Sequence, residues 1–217
     1  MTDRQLIKNT KIFVKELLVN EATGHDWWHA VRVRNNAENI YKAEKGNWLV
    51  IELASLLHDV GDRKVIKKPE DDYGIARNFL ISQDLPMQIV DRVMFIIMNM
   101  SFSKSLDSKK SINNRELMIV QDADRLDALG AIGIARTFAY GGSVNQIIHN
   151  PDIKPLKNMS SKTYKNHKTT SFNHFEEKLF LLRNMLNTEA AKEIDKERER
   201  YMKDYMKRFL DEWDGLK

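Results

Sequence analysis

The chain contains no cysteine. No disulfide can staple it and no thiolate can hold a metal, so any bound cation must sit on histidine, aspartate, glutamate or backbone oxygen. Proline and glycine are scarce too, at four and nine residues. Long stretches therefore run unbroken at helical period. No alternating strand pattern and no repeat is visible, so the expected class is all-α, a helical bundle. Long apolar runs are also missing. The greasiest segment, "WLVIELASLL" at 48–57, is short and carries Glu52, which excludes a membrane span there. The opening "MTDRQLIKNT" is too polar for a signal peptide. A cytoplasmic protein is the expectation.

The 217 residues, 42% hydrophobic and 30% charged, suffice for one substantial core. We expect a single domain over 1–217. The net charge of +4 is a mild excess. It suits a small anionic substrate and does not by itself favour nucleic acid.

Periodicity and punctuation predict the helices. The first runs from about Thr2, its N-cap, to Val19, and the second from Gly24–His25 to Glu44, ending before Gly46. Asn47 caps a third that ends near Asp59. Further helices are expected over about 73–82, 86–99, 113–140 with a break around Gly130 and Gly133, 172–186 and 189–213. Gly141–Gly142 reads as a helix stop, and 142–170 is the least regular stretch.

Two constellations carry chemistry. "GHDWWH" at 24–29 approaches the H-E-x-x-H pattern of zinc peptidases, but Asp26 stands where the glutamate base would be. Its shorter side chain misplaces the carboxylate, and no third ligand follows shortly downstream. "LLHDVGD" offers more. His58 and Asp59 close an apolar helix, where side chains about 100° apart can still share an ion lying off the helix end. His29 can add an imidazole from the preceding helix. Asp122 and Asp124 of "QDADRLDALG" compete to add a carboxylate. Two nitrogens with two oxygens suit a borderline divalent metal such as Mn²⁺, Fe²⁺, Ni²⁺ or Zn²⁺, with two positions open in an octahedral shell.

The order His29, His58–Asp59, Asp124, within "HDWWHAVRV", "LLHDVGD" and "DADRLDALGAIGIAR", resembles the H…HD…D signature of the HD-domain metal-dependent phosphohydrolases, and is most similar to small single-domain bacterial members. The resemblance covers about residues 20–185, leaving a helical extension over 186–217. It implies a helical bundle around the metal and hydrolysis of a phosphate ester or anhydride, often in a nucleotide. It makes His29, His58, Asp59 and Asp124 the ligands, choosing Asp124 over Asp122. It assigns Asp62 to position or deprotonate the attacking water, where the family commonly carries glutamate. Two-metal members have extra histidines between the HD pair and the last aspartate. This chain has none from 60 to 148, so one divalent ion is expected, Mn²⁺ first and Mg²⁺, Fe²⁺, Ni²⁺, Co²⁺ or Zn²⁺ as alternatives.

Substrate contacts are expected from Arg32, which shares a helix face with His29, from Lys64, Lys67 and Lys68 just after the HD pair, and from His25. Asp26 reads as a helix-start acid, Asp127 as a neighbour of the ligands and Arg125 as an ion-pair partner. Trp27 and Trp28 read as packing residues. His167 and Lys168 can close over a polyphosphate or lie in a surface loop. His174 can face the site or sit in the core. The favoured reading is hydrolysis of a nucleotide, with release of pyrophosphate from a nucleoside triphosphate as its sharpest form. The alternatives are a sensor or scaffold that retains an idle metal site, and a basic helical nucleic-acid binder.

Overall fold

The computed structural model describes residues 1–18, 24–60, 73–100, 112–156, 167 and 169–217. These are helix, turn and loop, with no strand among the described residues. The chain divides into two compact units, Met1–Asp124 and Arg125–Lys217.

The first unit holds α1 (Asp3–Leu18), α2 (Trp27–Glu44), α3 (Trp48–Leu57), α4 (Gly74–Ser82), α5 (Met87–Met98) and most of α6 (Arg115–Asp127). Helix α3 is its centre. Every residue from Val50 to Leu57 is buried, as a helix apolar on all sides requires. It packs against α1, α2 and α5. Its one interior charge, Glu52, accepts a hydrogen bond from Arg34 Nε at 2.9 Å, so the carboxylate is not left uncompensated. Asn47 caps α3 by accepting from the Val50 amide at 3.2 Å. The amide of Asn47 donates to Glu116 Oε1 at 3.3 Å, which ties the start of α6 to the start of α3.

In the second unit, α6 ends at Asp127 and α7 (Gly130–Ser143) begins after a break. Gly130 makes the turn with φ +72°, and a Cβ there would lie 3.0 Å from Arg198 Cγ. Gly133 is helical, but a Cβ on it would come within 2.1 Å of the Ala128 carbonyl oxygen. The expected stop at Gly141–Gly142 is corrected. Helix α7 continues through both to Ser143, and Gly141 is needed for close packing, since a Cβ there would meet Ser171 Oγ at 2.0 Å. The expected helix over 172–186 is shorter and irregular, a π-helical turn Phe175–Leu179 followed by α8 (Phe180–Arg183). Helix α9 (Glu189–Trp213) packs on α7 and α8. Phe138, Phe172, Phe175, Tyr205 and Phe209 form an aromatic cluster, closest at Phe172–Phe209 with centroids 4.7 Å apart.

Candidate metal centre

The donor atoms lie within the first unit. Helix α2 supplies His29, the end of α3 supplies His58 and Asp59, and α6 supplies Asp124. Regular α-helix stops at Leu57, with His58 as its C-cap. The HD pair therefore occupies a turn, and the two neighbouring side chains converge, His58 Nε2 lying 3.4 Å from Asp59 Oδ2. His29 Nε2 is 3.1 Å from His58 Nε2, 3.3 Å from Asp59 Oδ2 and 3.4 Å from Asp124 Oδ1. His58 Nε2 is 3.9 Å from Asp124 Oδ1.

This arrangement fits a cation. Donors about 2.1 Å from one shared ion lie roughly 3–4 Å from one another in tetrahedral or octahedral shells, and all of these spacings fall in that range. The histidine geometry points the same way. His58 Nδ1 lies 2.9 Å from the Ser55 carbonyl oxygen, which can only accept, so Nδ1 carries the proton and Nε2 presents a lone pair. That lone pair faces a second imidazole nitrogen and two carboxylates in a buried place. His29, His58 and Asp124 could hold one ion together, and Asp59 lies within reach of both imidazoles.

His29 is fully buried, His58 and Asp59 nearly so. The Asp124 side chain is 36% exposed and that of His25 27%. The cluster is thus closed behind the imidazoles and open beside Asp124 and His25. Burial works against charge on Asp59. The neighbouring His58 and His25, with hydrogen bonds from His25 and His29, outweigh it and hold the carboxyl well below the usual range.

His25 Nδ1 lies 2.9 Å from Asp59 Oδ2, so His25 orients a ligand-bearing carboxylate. Asp26 is the N-cap of α2 and accepts from the His29 amide at 2.8 Å. Its carboxylate is committed to starting the helix that carries His29, and is not a peptidase base. Of the competing aspartates, Asp124 joins the cluster, and Asp122 is fully buried. Arg32 is half-buried on α2. Asp62, Lys64, Lys67, Lys68 and Lys168 lie outside the described residues.

The remaining candidates belong to the second unit. Asp127 pairs with Arg136 at 2.7 Å. Arg125 donates to the Met185 carbonyl oxygen, a structural role. His167 Nε2 sits 3.2 Å from Glu177 Oε1, whose oxygen also accepts from Thr169 Oγ1 and the Leu156 amide. His174 precedes the π-helical turn, and burial, helped by Lys178, pushes its pKa down to about 3.

Two supporting groups escape sequence reading. Ser55 holds His58 through a backbone carbonyl, which no residue identity encodes. Asn36 donates to the Ala123 carbonyl oxygen at 3.1 Å, fixing α6 one residue before Asp124. Asn36 lies two turns after His29 on the same face, a signal visible only once the ligand helix is known.

Residues 27–129, which span all four donors, match the HD domain family. The Bacillus subtilis protein YpgQ is 30% identical over 216 residues, covering 100% of this chain and 98% of YpgQ. The chain belongs to the HD-domain family. Solved structures agree with the fold. A Bacillus thuringiensis HD-superfamily hydrolase is 39% identical with a TM-score of 0.76, covering 99% of this chain and 100% of that one. A Lactobacillus plantarum structure is 34% identical with a TM-score of 0.85, covering 96% of each chain. YpgQ itself has been solved in complex with ADP; that structure is 30% identical with a TM-score of 0.77, covering 97% of this chain and all of that one. The HD assignment supports a hydrolase, and the His/Asp cluster is compatible with the divalent metal that HD domains bind.

Proposed function

We propose that this protein is a metal-dependent phosphohydrolase acting on nucleotides, with a nucleoside triphosphate, cleaved to the monophosphate and pyrophosphate, as its leading substrate. The observation that carries the reading is the donor set itself. Two imidazole nitrogens lie 3.1 Å apart, and each has an oxygen of Asp59 and of Asp124 within 3.9 Å, with Asp124 and His25 the exposed members of the cluster. The complex of YpgQ with ADP supports a nucleotide over other phosphate compounds.

His29, His58, Asp59 and Asp124 would hold one divalent ion, Mn²⁺ being the preferred candidate for a mixed nitrogen and oxygen shell. When bound, such an ion supplies Lewis acidity toward a phosphoryl oxygen and makes water a nucleophile near neutral pH. The protein's own groups do the rest. Ser55 and His25 fix the orientation of His58 and Asp59. Arg32, one turn after His29, offers a guanidinium to phosphate oxygens, and Lys64, Lys67 and Lys68 follow the HD pair closely enough in sequence to add cations. Asp62 is assigned to orient the attacking water and take its proton.

The test is turnover of nucleoside mono-, di- and triphosphates by metal-reconstituted protein, with products resolved by ³¹P NMR. Pyrophosphate and monophosphate in equal amounts are expected from triphosphates. Asp62→Ala should bind metal as the wild type does and lose turnover, whereas full activity in that variant would remove Asp62 from the mechanism. Metal-loaded wild type that leaves every nucleotide intact would sink the nucleotide reading.

A further inference from the structure

Trp28 is 62% exposed, which corrects the expectation that both tryptophans pack inside. A single exposed aromatic is ordinary on a protein surface; the position of this one is not. It lies in the first turn of α2, directly before His29, and that turn is pinned by the Asp26 cap on the His29 amide. His25, at the open side of the donor cluster, is three residues earlier. Arg32 is four residues later, so Trp28 and Arg32 share one face of α2, about 40° apart around its axis, while His29 is about 100° from Trp28. Trp27 is half-buried, its ring 6.5 Å from that of Trp28 and tilted 51° to it, and buttresses one side. The helix that carries His29 therefore bears an exposed indole one turn before Arg32.

A nucleotide needs two surfaces besides the reacting centre, cations for its phosphates and a π-face for its base. We infer that Trp28 is the base-stacking platform of the substrate site, receiving the nucleobase while the phosphates reach Arg32 and the donor cluster. The inference rests on the nucleotide reading above. Stacking uses the face of the base and not its hydrogen-bonding edge, so the site should accept every base and favour purines, whose rings cover more of the indole.

The experiment compares Mn²⁺-loaded wild type, Trp28→Ala and Trp28→Phe. Calorimetric binding of α,β-methylene-ATP, which resists cleavage between its first two phosphates, is measured beside binding of inorganic tripolyphosphate. KM and kcat are measured with ATP. Trp28→Ala should weaken methylene-ATP binding about tenfold, raise KM by a similar factor, change kcat by less than about twofold and leave tripolyphosphate binding unchanged. Trp28→Phe should recover most of the loss. Unchanged methylene-ATP affinity in Trp28→Ala overturns the inference, and so does an equal loss for tripolyphosphate, which would mark a disturbed phosphate site instead of a lost platform. Wild type that binds tripolyphosphate but neither binds methylene-ATP nor turns over ATP overturns the nucleotide reading itself.

Discussion

At the residue scale, a protein interior tolerates converging polar atoms only when something satisfies them. His29 and His58 turn imidazole nitrogens toward each other at 3.1 Å with two carboxylates alongside, an arrangement a divalent cation stabilises. Asp59→Ala should remove stoichiometric metal binding; a variant that still holds one tightly bound ion after dialysis would contradict the ligand assignment. His25→Ala should keep the ion but weaken its binding about tenfold to a hundredfold, the usual cost of losing a group that orients a ligand, as read by competition with a chelator. His174 makes a prediction about stability. Its folded pKa of about 3 lies below the ordinary value of 6.5, so unfolding takes up a proton between those limits. Its stability contribution is complete above pH 6.5 and falls by up to about 1.4 kcal/mol per pH unit as the pH drops toward 3. His174→Gln should flatten that acid limb in urea titrations, and an unchanged limb would show that His174 is solvated. Of these residues, the four that the structure brings together were legible in the sequence because metal chemistry admits few residue types and the family resemblance chose Asp124 over Asp122. Ser55 was not, because it acts through its backbone carbonyl, and Trp28 was misread because sequence alone does not separate a packed indole from an exposed one.

At the element scale, caps and apolar stripes decide where the helices start. Asp26, Asn47 and Thr188 each accept from the amide three residues on; the Asn47 cap was readable from residue type, the start at Glu189 fell where expected, and the second helix begins at Trp27 instead of Gly24–His25 because Asp26 caps it. The ends at Lys45–Gly46 and after Trp213 were readable as well. The run of α7 through Gly141 was not, because the reason for that glycine is Ser171, distant in sequence. The π-helical turn at Phe175–Leu179 was also illegible, since it answers to packing around Phe175 and Phe172 and not to a local signal. Two substitutions test this level. Leu53→Ala, in the fully buried centre of α3, should cost about 2–5 kcal/mol in urea unfolding; a loss under about 1 kcal/mol would mean that α3 is not the core helix. Gly133→Ala should destabilise although alanine favours helix, because its Cβ would lie 2.1 Å from the Ala128 carbonyl oxygen. A stabilised variant would contradict that packing.

At the scale of the whole molecule, all four donors fall within Met1–Asp124, on α2, on the turn that follows α3 and on α6. Helix α6 carries the last donor and continues into the second unit, where Asp127 and Arg125 serve structural bonds. The chain is mildly cationic at +4, in keeping with a polyanionic small substrate. The central claim is that one divalent ion on His29, His58, Asp59 and Asp124 makes this HD protein a phosphohydrolase. The most direct measurement titrates metal-stripped protein with Mn²⁺, following free ion by EPR and nucleoside triphosphate turnover in the same samples. Turnover should start from zero, rise in step with bound Mn²⁺ and level off at one ion per chain. Full turnover in the presence of chelator, or one bound ion per chain with no turnover, would contradict the claim.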